Sequence, residues 1–216
     1  MIDEVPESIG RLGSLRKLNL QHNNIRRLPA SICDLKNLQV LDASWNPLNE
    51  GIPEEIGSLS TLEYLDLSHS KVRFLPATVS QLSSLKSLIL QHCDMLQELP
   101  GLPTSLTVLD ASVCPLEKGI PEEIGSLSAL EYLNLSCSKI RFLPARVSQL
   151  SSLKSLILHD CDILRELPGL PTSLIVLDAS VCPPDRGIQE EICSLSALEQ
   201  LDISGSKIRI LPATVS

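Results

Sequence analysis

The chain has 216 residues, a formal net charge of −8, 43% hydrophobic residues and only 2% aromatic residues. This hydrophobic content excludes a disordered chain, and the scarcity of aromatic residues means that any core must be built from leucine, isoleucine and valine. The acidic charge disfavours a nucleic-acid binder, which needs a basic patch. No stretch approaches the roughly 18 consecutive apolar residues that a membrane span requires.

The chain is built from repeating units, which we call coils. Residues 2–14 are predicted to be the back half of one coil, and the last coil is truncated at Ser216. Each complete coil has 21 to 24 residues and opens on the pattern Leu-x-x-Leu-x-Leu or Leu-x-x-Leu-x-Ala. The coils begin at Leu15, Leu38, Leu62, Leu85, Leu106, Leu130, Leu153, Leu174 and Leu198. This period and leucine spacing predict a leucine-rich-repeat solenoid, in which each coil buries its apolar face against its neighbours.

A larger period is superimposed on the coils. Leu38–Ser105 and Leu106–Ser173 are two copies of a 68-residue block, and 54 of their 68 aligned positions are identical. A third copy starts at Leu174 and stops partway. Because neither end of the array carries a polar cap, we expect residues 1–216 to form a single array cut from a longer protein.

The opening residues of each coil are predicted to form a short strand. In the coil that begins at Leu62, alternation points Leu65 and Leu67 inward and Tyr64 and Asp66 outward. Such strands would stack in parallel as a concave sheet. The ninth position is small and is expected to turn inward and bond the backbone. Four of the seven cysteines occupy it, which predicts buried thiols in a reducing compartment.

The segment that leads from one strand back to the start of the next coil, which we call the return segment, is predicted to differ between coils. Most contain proline followed by apolar residues three positions apart, which predicts a short helix or 3-10 turn. The 21-residue coils end on two prolines, at Leu99–Ser105 and Leu167–Ser173, which favours an extended return. The predicted fold class is therefore an α/β repeat. It is a right-handed solenoid with a concave parallel β-sheet and a convex back of short helical, 3-10 and extended segments.

Interaction-prone side chains cluster on the predicted concave face of the first four complete coils. Histidine or tryptophan occupies the eighth position of each of these coils, and tyrosine occurs at a third position. Tryptophan and tyrosine are enriched at interfaces, so we predict a protein-binding site here. The alternative is that a solenoid with an aliphatic core has no other place for aromatic residues. The predicted site comprises His22, Trp45, Tyr64, His69, His92, Asp42, Asp66 and Tyr132.

Charged residues also recur in register. Asp42 and Asp66 would lie on adjacent strands, where like charges repel, and this cost suggests that they receive a partner bearing lysine or arginine. The alternative is that solvent and nearby polar groups screen both charges. We interpret the two remaining charged motifs as solvated faces. They are Lys71/Arg73, Lys139/Arg141 and Lys207/Arg209, and Glu54-Glu55, Glu122-Glu123 and Glu190-Glu191.

Catalytic motifs are absent from the sequence. It contains no glycine-rich phosphate loop, no HExxH and no CxxC. We therefore predict no enzymatic activity, no cofactor and no metal site. His69 and His92 could in principle bind a metal as a pair, but we interpret them as surface histidines.

The run GIPEEIGSLSTLEYLDLSHSKVRFLPATVSQLSSLKSLILQHCDMLQELPGLPTSLTVLDASVC resembles the leucine-rich domains of plant intracellular immune receptors. The alternation of LxxLPxxVxxLxxL coils with a short xLxELPxLPxSL coil is similar to that of nucleotide-binding receptors with an N-terminal TIR domain. This resemblance implies a cytoplasmic module that binds protein. Its partner would be a pathogen effector or another domain of the same receptor, with no nucleic acid and no membrane span.

Two other functions remain open at this point. The opening coil, LRKLNLQHNNIRRLPASICDLKN, resembles the intracellular repeats of Ras-pathway scaffolds. The segment GIPEEIGSL suggests a secreted inhibitor of cell-wall enzymes, although such domains often carry cysteine caps that are missing here.

Overall fold

The computed structural model describes residues 1–183, 192 and 194–206, and within them nine strands form one parallel sheet. Each strand is three residues long, occupies the third to fifth positions of its coil and pairs with the strand of the next coil. The strands are β1 Lys17–Asn19, β2 Val40–Asp42, β3 Tyr64–Asp66, β4 Ser87–Ile89, β5 Val108–Asp110, β6 Tyr132–Asn134, β7 Ser155–Ile157, β8 Val176–Asp178 and β9 Gln200–Asp202.

Most return segments in the described part of the chain contain a five-residue 3-10 helix. These helices are Glu7–Arg11, Ala30–Asp34, Glu54–Ser58, Ala77–Gln81, Glu122–Ser126 and Ala145–Gln149. Pro53 is extended, with φ −63° and ψ 140°, and its carbonyl accepts the amide of Ile56 at 3.1 Å. The pattern predicts proline as the first helical residue, whereas the structure places it one residue earlier. Its fixed φ suits this extended cap equally well.

The two coils that end on paired prolines carry no helix. Residues 99–103 and 167–171 run without regular structure to a turn, as the sequence predicts. Proline supplies no amide at two of these positions, so a bonded helical turn cannot form there.

One apolar core runs through the stacked coils. Leu62, Leu65 and Leu67 are fully buried, and Ile56 and Val79 from the 3-10 helices belong to the same cluster. Each buried leucine contributes about 1.5–3 kcal/mol relative to an exposed one. The predicted leucine-rich-repeat solenoid is thus confirmed.

Asparagine and cysteine at the ninth position bond the backbone, as expected, whereas two of the serines there lie beside the cysteine thiol of the next coil instead. The amide group of Asn46 donates to the carbonyl of Leu20 at 2.8 Å, and its oxygen accepts the amide of Ile25 at 3.0 Å. The buried thiol of Cys114 donates to the carbonyl of Leu90 at 3.1 Å. Hydrogen bonding of this thiol to Cys93, followed by its burial, raises its pKa. The six cysteines in the described residues are free, which agrees with the predicted buried thiols.

Two predicted motifs fall outside the described residues. They are the acidic pair Glu190-Glu191 and the basic pair Lys207/Arg209.

Candidate protein-binding surface

The eighth residue of each coil lies in a tight turn just beyond its strand. His22, Trp45, His69 and His92 have φ values of 55°, 56°, 54° and 57°, which is the left-handed region. The pattern predicts these side chains on the concave sheet, but the structure places them at its edge. The strands end after three residues because the chain must bend for the ninth residue to reach the core.

Backbone bonds keep these turns in register from coil to coil. The amide of Trp45 donates to the carbonyl of Ser68 at 2.9 Å, and the amide of His69 donates to the carbonyl of Gln91 at 2.8 Å. Since the same bond recurs at each step, the eighth side chains of consecutive coils lie one above the other.

The side chains of His22, Trp45, His69 and His92 form a continuous stack, which we call the aromatic ladder. Ring centroids are 5.1 Å apart for His22 and Trp45, 3.7 Å for Trp45 and His69, and 4.5 Å for His69 and His92. The rings lie within 21° of parallel. The spacing of about 4.8 Å between strands matches the separation that stacked rings prefer. Trp45 remains 49% exposed.

The aromatic ladder ends abruptly at the next coil. The eighth position there is Val113, followed by Cys137 and Asp160 in the second block, all with φ between 54° and 57°. The two blocks therefore have the same backbone conformation at the eighth position and differ in the side chains that they carry there. Their equivalent positions in the repeat predicted which residues form the ladder, but did not predict that their rings stack.

Tyr64, Asp42 and Asp66 lie on the strands that lead into the ladder. Asp42 and Asp66 are direct neighbours in the pairing of β2 with β3. The hydroxyl of Tyr64 donates to Oδ2 of Asp66 at 3.0 Å. Burial, together with the charge and hydrogen bond of Asp66, raises the pKa of Tyr64 to about 12.

The aspartates also have a structural use that position counting missed. Oδ1 of Asp66 accepts the amide of Ser68 at 2.9 Å, and Oδ1 of Asp42 accepts the amide and hydroxyl of Ser44 at 3.1 and 2.7 Å. The same bond to the amide two residues ahead recurs at the other fifth positions occupied by aspartate or asparagine: Asn19, Asp110, Asn134, Asp178 and Asp202. These local hydrogen bonds explain much of the recurrence of aspartate and asparagine at the fifth position. The sequence did contain a sign of this role, because most fifth positions are occupied by one of these two residue types.

Two residues lie apart from the ladder. Tyr132 is on β6, three strands beyond β3, where burial and the charge of Asp110 raise its pKa. His159 follows β7, and its Nδ1 is 2.8 Å from the hydroxyl of Ser180. The predicted site is therefore one compact group on the first four complete coils, with Tyr132 outside it.

The surroundings of His69, in the middle of the ladder, lower its pKa. Burial and the neighbouring charge of His92 lower the pKa of His69, whereas Asp94 and Asp66 oppose this shift. Within the described residues no group of three or more histidine, cysteine, aspartate or glutamate side chains could hold a metal ion. No helix in the same part of the chain is long and apolar enough to cross a membrane.

Comparison with known proteins agrees with this architecture. The leucine rich repeat profiles match residues 5–48 and 105–127. Over these two stretches the chain is similar to leucine-rich repeat proteins. A leucine-rich repeat protein of Leptospira interrogans has a similar solved structure, with a TM-score of 0.68 and 31% identity over 98% of this chain and 60% of that one. The fold of this leucine-rich repeat chain is a protein-interaction scaffold.

The curated relatives point to plant immunity. A putative disease resistance protein of Arabidopsis thaliana is 34% identical over 209 residues, covering 95% of this chain and 14% of the relative. TMV resistance protein N of Nicotiana glutinosa is 39% identical over 180 residues, covering 79% and 13%. The leucine-rich repeat chain thus spans about a seventh of these relatives, and its predicted resemblance to plant disease-resistance proteins is confirmed.

Proposed function

We propose that this chain is the partner-recognition domain of a plant disease-resistance protein and acts in the cytoplasm. Its partner would be a pathogen effector or another domain of the same receptor. The observation that carries the proposal is the aromatic ladder, which places four stacked rings along one edge of the sheet. The similarity to disease-resistance proteins supports the biological setting.

The ladder suits protein binding because it is already ordered. Each ring is held by its neighbours, so little side-chain entropy remains to be lost when a partner binds. Trp45 is the natural anchor, since it is the largest of the four side chains and half of its surface is exposed.

The neighbouring strands would set the charge preference. Oδ1 of Asp42 is bonded to Ser44, while its Oδ2 accepts no hydrogen bond from the described residues. This oxygen can accept from a lysine or arginine of the partner. Asp66 adds negative charge beside it on β3, and Tyr64 and, further along the sheet, Tyr132 extend the surface.

The second block supplies a matched variant for the test. Replacing Trp45→Val, His69→Cys and His92→Asp installs the residues that Val113, Cys137 and Asp160 already present on the same backbone. The ladder is removed while the turns keep side chains that the fold accepts. A control variant carries three substitutions in the second block: Val113→Ala, Cys137→Ala and Asp160→Ala.

Proximity labelling in plant cytosol would compare the native chain with both variants. We expect a set of proteins labelled by the native chain and by the control, and lost from the ladder variant. Thermal unfolding would verify that all three chains fold. If the folded ladder variant labels the same proteins as the native chain, the ladder is not the recognition site.

A further inference from the structure

A surface depression on the back of the solenoid shares no residue with the aromatic ladder. It has a volume of about 490 Å³, which lies within the range of about 300–1,000 Å³ that is usual for ligand sites. Its lining comes from three consecutive return segments, those that carry the 3-10 helices Glu7–Arg11, Ala30–Asp34 and Glu54–Ser58. We call it the convex depression.

Close packing of the first two helices fixes one side of the convex depression. A Cβ atom added to Gly10 would lie 2.6 Å from the carbonyl oxygen of Ser31 and 3.1 Å from Oδ2 of Asp34. The amide of Ser31 also donates to Oε2 of Glu7 at 3.3 Å. Because these contacts hold the two helices together, the depression is already formed in the free chain.

Carboxylates outnumber cations in the lining of the convex depression. Its charged residues are Glu7, Asp34, Glu55 and Lys36. None of the three carboxylates forms an ion pair with any residue that the structure describes. Nζ of Lys36 instead donates to the carbonyl of Cys33 at 2.7 Å and to the hydroxyl of Ser58 at 3.0 Å. The single cation is therefore held by neutral oxygens, and the depression keeps an excess of negative charge.

Two buried polar groups of the same lining lack partners. Cys33 is only 4% exposed, and its thiol forms no hydrogen bond with the described residues. Oγ of Ser31 is also buried and has no partner among them. Burial, followed by the charge of Glu55, raises the pKa of Cys33 to about 11, with Asp34 adding to this effect and Lys36 opposing it. The thiol is thus neutral, and both groups can accept an N–H donor.

We propose that the convex depression binds a basic segment of a protein partner, with a lysine or arginine side chain seated in it. The cation would pair with Asp34 and Glu55, whose carboxylates accept no hydrogen bond from the described residues, and its N–H groups could reach Ser31. An acidic segment would instead meet three carboxylates and be repelled. Because the carboxylates belong to three consecutive coils, a segment that crosses the coils can contact more than one of them.

A random peptide library displayed on phage would test this assignment. The library is panned against the native chain and counter-selected against the site variant Asp34→Asn/Glu55→Gln, which keeps the rest of the acidic surface. The matched control, Glu117→Gln/Glu123→Gln, removes two exposed carboxylates from the second block, where Glu123 stands at the position of Glu55. All four side chains are exposed, and circular dichroism verifies that both variants fold.

We expect the enriched peptides to contain lysine or arginine. One of them, labelled with fluorescein, is titrated by fluorescence polarisation at a fixed salt concentration. Its affinity should fall by about fivefold or more in the site variant, since two charge pairs are lost. The control and the ladder variant, Trp45→Val/His69→Cys/His92→Asp, should bind it as the native chain does. Enrichment of peptides without basic residues, undiminished binding by the site variant, or an equal loss in the control would overturn the proposal.

Discussion

The eighth position of the coils has the same backbone conformation throughout but carries several different types of side chain. The turn demands a left-handed conformation there, which asparagine and glycine adopt readily and β-branched residues adopt at a cost. Yet the chain places valine at two of these positions, Val113 and Val181, each with φ 57°. Such residues store strain that a better-suited side chain would relieve.

Replacing Val113→Asn should therefore stabilise the chain by about 1 kcal/mol, because asparagine tolerates this conformation better than valine. The free energy of unfolding in urea measures the change. Val108→Asn is the control, since Val108 lies on β5 in an ordinary strand conformation. That substitution should destabilise the chain. A loss of stability in Val113→Asn would show that its packing outweighs its backbone strain.

Titration of His69 should make stability depend on pH. The pKa of His69 is lower in the folded chain than its ordinary value, so the unfolded chain binds this proton more readily. The contribution of neutral His69 to the stability of the folded chain is complete above about pH 6.5. It is lost as the pH falls from there through the pKa of His69 in the folded chain.

Urea unfolding at a series of pH values, followed by the emission of Trp45, measures this effect because Trp45 is the only tryptophan of the chain and touches His69. A His69→Gln variant should lose less stability on acidification than the native chain. An identical pH dependence in both would contradict the assignment to His69.

At the scale of elements, the 3-10 helices of neighbouring coils pack so closely that glycine is required between some of them. A Cβ atom added to Gly57 would clash with the carbonyl oxygen of Thr78. At Gly125 the same atom would lie 2.5 Å from Cβ of Arg146. The obstacle at Gly57 is backbone, so relief requires the two coils to separate.

Gly57→Ala should accordingly destabilise the chain by about 1–3 kcal/mol, the usual cost of overpacking. Gly101→Ala is the matched control, because a Cβ atom there would meet nothing within 4 Å. It should change the free energy of unfolding by less than about 0.5 kcal/mol. Equal effects of the two substitutions, measured by denaturant unfolding, would show that the helices can slide apart without cost.

The strands and 3-10 helices were predictable from the sequence because the same residue pattern recurs in each coil. Leucine spacing located the strands, and proline distinguished the coils with 3-10 helices from those with extended returns. The exact edge of each strand was not predictable from alternation alone, because the bend is fixed by a side chain–backbone bond such as that of Asn46. The same limit explains why His69 was expected on the sheet and lies in a turn.

The whole molecule presents its candidate binding surface on one regular scaffold. Sequence alone located the residues of the ladder, since aromatic residues are rare in this chain and stand at equal positions. The exposure of Phe74 and Phe142 was not predicted, because both look like ordinary apolar residues in the sequence. Their neighbours Arg73 and Arg141 were interpreted as part of a solvated face.

The central claim is that a protein partner binds at the aromatic ladder. Hydrogen–deuterium exchange by mass spectrometry tests it most directly, comparing the chain alone with its complex with a protein captured by proximity labelling. We predict slower exchange on binding in the turns that carry His22, Trp45, His69 and His92. The equivalent turns at Val113, Cys137 and Asp160 should change little. Protection confined to the second block or to the 3-10 helices, with none at the ladder, would contradict the account.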